Sequence, residues 1–183
     1  SVPVLTDGDK SIANSNDILN YLDKSYPQPS LLPTDSANKQ TVMEWERFAD
    51  KEIGPHVRKI CYHTLLQHPK RVIKIFSLDQ PWYKAFGLKL IFPQIRKKMR
   101  SLMKINSQTE IESKQRLEDA LARIAAHLKQ HNYLVGEHFT RADLTVAALL
   151  APFIRPSKYG FERYGYDWSE TGAETYPKPL QDY

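Results

Sequence analysis

The side chains most able to do chemistry are few and scattered. Cys61 is the single cysteine among 183 residues, so an internal disulfide is excluded and a reducing compartment fits best. It falls on the apolar face of a helical pattern, where a buried, inert thiol is expected, because reactive cysteines need a basic or helix-terminal setting. His127 and His131 stand four apart with His138 close behind, but no further ligands complete a metal set, so they read as surface histidines. Ser15 precedes an apolar repeat at Ile18, Leu19 and Leu22 and is the expected N-cap of the helix that repeat predicts.

Charge is the densest chemical feature. The segment 69–104 holds ten Lys/Arg against Asp79 alone, a net +9 that leaves −4 for the rest of a chain of net +5. Its apolar residues (Val72, Ile73, Ile75, Phe76, Trp82, Phe86, Leu90, Ile91, Phe92) point to one or two helices. Two readings stand side by side: a patch for an anionic surface such as a membrane or nucleic acid, or a helical layer with its polar face in water, which the composition favours. With 41% apolar residues the chain is able to bury a core, and its apolar runs are interrupted well short of the roughly 18 residues a membrane span needs. No signal-peptide pattern opens it.

Elements must position these groups. Val2-Pro3-Val4-Leu5 reads as a strand, Asp7-Gly8 as a hairpin turn, Ser11-Ile12 as a returning strand, and Ser15 starts a helix ending before Pro27. Val42, Trp45, Phe48/Ala49, Ile53, Val57, Ile60/Cys61 and Leu65 predict one long amphipathic helix, kinked at Gly54-Pro55. A further helix is predicted over 108–130 with Leu117, Leu121, Ile124 and Leu128 inward. At Thr140 the N-cap, Asp143 three residues on, and the Phe139/Leu144 staple positions predict a helix start. Its body to Leu150 is apolar nearly all round and is expected in the middle of the core. After Pro152 the chain is aromatic and turn-rich, and regular structure is not expected there.

Three of these stretches, in this order and spacing, resemble the glutathione transferase family: Val2-Pro3-Val4-Leu5, the run Ile12-Ala13-Asn14-Ser15 to Leu22, and Tyr133-Leu134-Val135-Gly136 to Asp143. The first two look like the back half of the family's thioredoxin-like domain and the third like the capping box of its helical domain. The resemblance covers residues 1–66 and 108–152. It implies a cis Val2-Pro3 bond that turns the Val2 backbone toward the cysteinyl part of glutathione, and Ser15 receiving the γ-glutamyl carboxylate. The glutathione-binding set is then Val2, Pro3, Asn14 and Ser15, with Asn14 standing where the family has Glu or Gln. Arg58, Tyr62 and His63 lie where the family forms the wall of its electrophile pocket; the competing reading of these three is a solvated helix face. The family's thiol-activating Ser, Tyr or Cys is expected upstream of Ser1, so no catalytic residue is assigned within 1–183.

The expected fold is therefore mostly α: a partial thioredoxin-like α/β unit over 1–29, a linker over 30–36, and an all-helical domain over 37–183 carrying the basic segment as an addition. The implied protein is a cytoplasmic homodimer that binds glutathione and conjugates or reduces hydrophobic electrophiles or peroxides. It has a weak attraction to anionic surfaces through 69–104 and no specific nucleic-acid partner. A non-catalytic interaction module and a peripheral membrane protein are the alternatives.

Overall fold

Gly8 begins the ordering of the chain. It is the first of two loop residues between β1 (Val4–Asp7) and β2 (Lys10–Ala13) and takes φ +56, a conformation glycine adopts without steric cost. The turn fixes an antiparallel register in which Leu5 faces Ile12 and Asp7 faces Lys10. In the computed structural model, which describes residues 3–77 and 80–154, this hairpin leans on α1 (Ser15–Ser25).

The long helix predicted over Val42–Leu65 is two helices joined by a π turn: α2 (Ser36–Phe48), the turn (Ala49–Ile53) and α3 (Gly54–Leu65). The cause lies at Pro55. Proline has no N–H to give the Lys51 carbonyl, and its ring crowds that carbonyl, so the preceding turn widens and Gly54 N–H bonds Ala49 C=O. The apolar stripe survives the change, with Val42, Trp45, Ala49, Ile53, Val57 and Ile60 all buried. Gly54 sits tight against its neighbour, since a Cβ there would meet Leu149 Cδ2 at 3.3 Å.

The basic segment forms α4 (Pro69–Phe76) and α5 (Trp82–Leu102), within the one or two helices its apolar content predicts. Val72 and Phe92 close a second core with Leu66 and Ile105. The polar-face-out layer is not realised cleanly, because Phe76, Trp82, Phe86, Leu90 and Ile91 are exposed.

Helix α6 (Ser107–Leu128) is started by a capping box that the sequence reading passed over: Thr109 N–H donates to Asn106 Oδ1 at 2.9 Å, and Asn106 N–H to Thr109 Oγ1 at 3.0 Å. Leu117, Leu121 and Ile124 face inward as expected, whereas Leu128 is 43% exposed at the fraying end.

Helix α7 (Arg141–Ile154) packs on α2, the π turn and α3. It is not enclosed on every side, for Ala147, Ala148 and Ile154 are exposed and Phe139 of the expected staple is 47% exposed. Its start is fastened by Asp143, whose carboxylate accepts Leu134 N–H, Thr140 N–H and the Thr140 hydroxyl, each at 2.9 Å.

Beside that start lies the connection that holds the two halves together. Arg141 is 3% exposed and spends its guanidinium on three partners. Nε and Nη2 donate to the two Glu46 carboxylate oxygens of α2, at 2.9 and 3.3 Å. Nη1 donates to Asn20 Oδ1 at 2.8 Å and Asp23 Oδ2 at 3.0 Å, both on α1, while the Arg141 backbone N–H holds Leu31 C=O of the linker at 3.0 Å. Arginine alone presents this planar fork, and it neutralises a carboxylate that α2 would otherwise bury uncompensated.

Two outcomes follow for urea unfolding. Arg141→Ala strands Glu46 and is expected to lower stability by about 3–5 kcal/mol. Asp143→Ala leaves two backbone donors unmet, for an expected loss of about 1–3 kcal/mol. Either variant unfolding like the parent would contradict the corresponding assignment.

Candidate functional site

The β1–α1 junction gathers the residues expected to meet a ligand. Asn14, and not Ser15, is the N-cap: its side-chain oxygen accepts Asn16 N–H at 3.3 Å and its backbone takes φ 79. With ψ 132 this lies outside the left-handed helical basin that asparagine readily visits, so the corner is strained backbone held by its bonds. Asn14 N–H donates to Pro3 C=O at 3.1 Å, which draws the entry to β1 against the start of α1. Ser15 is thereby the first helical residue, exposed at the positive end of the helix dipole. Pro3, Asn14 and Ser15 are all exposed at this junction. Val2, and with it the expected cis bond to Pro3, lies outside the described residues.

The junction is held from below. Tyr26 and Tyr21 donate their hydroxyls to Asp7 Oδ2 at 2.7 and 2.8 Å, tying both ends of α1's second half to the hairpin turn. These two bonds, Tyr26's the larger and Tyr21's next, hold the Asp7 carboxyl below its usual 3.8. At the other end Asn16 reaches Asp50 Oδ2 of the π turn in a long 3.4 Å contact.

On α3, Arg58 and Tyr62 stand one turn apart on the same side, with His63 beside Tyr62. Arg58 is exposed, Tyr62 packs on the second core, and His63 turns toward α6, where Nδ1 meets Glu110 Oε2 at 2.8 Å. Burial works to raise the Glu110 carboxyl, but Lys114 and His63 together outweigh it and the net direction is down. That pairing makes His63 a strut between α3 and α6. Cys61 is half-buried against the main core, less enclosed than its apolar face implied. His127 is likewise no plain surface residue: its ring meets the Trp45 ring edge-on at 5.3 Å and stacks on His131 at 4.5 Å. Among the described residues no group of three His, Cys, Asp or Glu is placed to hold a metal ion, and no helix is long and apolar enough to cross a membrane.

Comparison with known proteins places this architecture. The family model described as glutathione S-transferase, C-terminal domain matches residues 89–171, so the second half of the basic segment falls inside that domain. Over 54 residues, 30% of the chain, it is 39% identical to glutathione S-transferase U2 of Arabidopsis thaliana, and over a stretch of the same length 35% identical to glutathione S-transferase U4. The chain spans only about a quarter of the length of these relatives, 24% in each case. Among solved structures it resembles a glutathione S-transferase from Rhodospirillum rubrum F11 (TM-score 0.56, 18% identity, 98% of this chain and 68% of that one). It also resembles a beta-etherase from Sphingobium sp. strain SYK-6 (TM-score 0.57, 19% identity, 99% and 76%). These likenesses show the fold, a partial thioredoxin-like unit followed by a helical domain.

The Asp7 link has a definite pH signature. Its folded value lies below the unfolded one, so its stabilising effect is complete above about 3.8 and disappears as pH falls through the lower, folded value. An NMR titration of the Asp7 carboxyl carbon is expected to give a midpoint below 3.8 that rises in Tyr26→Phe. An unshifted midpoint in the parent protein would count against the tyrosine clamp.

Proposed function

We propose that this member of the glutathione S-transferase family binds glutathione at the β1–α1 junction. In this reading Ser15 N–H and hydroxyl receive the γ-glutamyl carboxylate, Val2 and Pro3 present backbone to the cysteinyl unit as an added strand would, and Asn14 shapes the corner between them. The observation that carries it is the exposed first turn of α1, drawn against the end of β1 by the Asn14–Pro3 bond of 3.1 Å. The helix-dipole charge at Ser15 and the backbone entering β1 stand side by side there, which supports the reading.

The reaction class that goes with this site is attack of a glutathione thiolate on an electrophilic carbon, or reduction of a peroxide, beside a hydrophobic cleft. Residues 1–29 supply the peptide contacts, 30–36 the connection, and the helical domain over 37–183 the cleft wall, with Arg58, Tyr62 and His63 of α3 its proposed lining. Lowering a thiol pKa from about 8.5 requires a donor at the sulfur itself, and no residue of 1–183 is assigned that part. A homodimer in the cytoplasm completes the reading; the lone Cys61 supports the reducing compartment.

Calorimetric titration with glutathione tests the assignment. Ser15→Ala removes one charge-assisted hydrogen bond without removing the helix cap, which belongs to Asn14. It is expected to weaken binding by about tenfold or more while leaving the melting temperature unchanged. Equal affinity in parent and variant would remove Ser15 from the site.

A further inference from the structure

Between α4 and α5 lies a cavity of about 540 Å³, within the roughly 300–1,000 Å³ common for small-molecule sites. Its floor is apolar, formed by Ile73, Phe92 and Pro93, and Phe92 is anchored beneath in the second core. Its walls carry Lys70, Lys89, Arg96, Lys97 and Arg100, and among the described residues no acidic one lines it. Positions 89, 93, 96 and 100 recur every three or four residues, so one stripe of α5 supplies most of the wall while α4 closes it from the other side.

Two arginines in that stripe are incompletely satisfied. Arg96 Nε and Arg100 Nε are both buried, and neither has a hydrogen-bond partner among the described residues. Burial of such donors is unfavourable unless an acceptor meets them, and an arginine fork matches the paired oxygens of a phosphate, sulfonate or carboxylate. Five cations around one hollow also repel one another until an anion enters.

We propose that the α4/α5 cavity binds an anionic amphiphile, with its oxyanion head on Arg96 and Arg100 and its apolar body over Phe92 and Ile73. The site is separate from the β1–α1 junction and independent of glutathione. A nucleic acid fits less well, because the cations surround an apolar floor and do not trace a backbone track.

Binding of dodecyl phosphate, measured by calorimetry below its micelle concentration, tests this. It is expected to saturate at one site and to bind about tenfold or more tighter than inorganic phosphate. Arg96→Gln with Arg100→Gln is expected to weaken it by about tenfold or more. Lys84→Gln with Lys98→Gln removes the same charge from outside the cavity and is expected to leave affinity within about twofold. Equal losses in the two double variants, or no binding by the parent, would overturn the proposal, as would an oligonucleotide that displaces the probe at comparable concentration. If the glutamine pair fails to fold by circular dichroism, Arg96→Lys with Arg100→Lys keeps the charge and removes the fork; unchanged affinity in that pair would equally overturn it. Vesicles of phosphatidylcholine with and without phosphatidic acid identify the source of the head. Capture by the acidic vesicles that the arginine variant abolishes assigns a lipid surface, and dodecyl phosphate binding without capture assigns a soluble ligand.

Discussion

A guanidinium taken out of water must be given acceptors, and at Arg141 those acceptors come from two helices distant in the chain. Glu46 on α2 meets two of its nitrogens, while Asn20 and Asp23 on α1 share the third. The arrangement is mutual: Glu46 is itself buried, and the same guanidinium meets both of its carboxylate oxygens. Since α1 buries no residue of its own, packing alone fixes it weakly, and the polar joint sets where its first turn points. Whatever Ser15 does depends on that orientation.

Two kinds of bonding thus divide the work. The helical domain is held by a continuous apolar core running through α2, α3, α6 and α7, where shape and area dominate. The hairpin and α1 are held by directional bonds: Asp7 to two tyrosines, Asn14 to Pro3, and Arg141 to α1. A small unit with little apolar surface to bury has few other means of keeping one orientation.

Local signals were readable and distant ones were not. The Asp7-Gly8 turn, the apolar stripe from Val42 to Ile60 and the Thr140–Asp143 start all act within a few residues, and periodicity or cap chemistry exposes them. The role of Arg141 was hidden because its partners lie 95 to 121 residues away in sequence. A fully charged residue at the mouth of an apolar helix was the one available hint. Sequence alone does not separate Asn14 from Ser15 as the cap, because both types cap helices well and only the bond from Asn16 N–H to Asn14 Oδ1 decides between them. On α5 the apolar content indicated a helix but not its facing, since basic and apolar residues alternate around nearly the whole cylinder. The hollow that Arg96 and Arg100 face emerges only once α4 lies opposite.

The central claim is that one buried arginine couples the β1–α1 unit to the helical domain, and amide hydrogen exchange reads that coupling directly. In Glu46→Gln, which keeps the shape of the fork partner and removes its charge, amides of Ser15–Ser25 and of the hairpin are expected to lose protection. Those of α3 and α6 are expected to exchange as in the parent protein. Uniform loss of protection across all helices, or unchanged exchange in α1, would contradict the account.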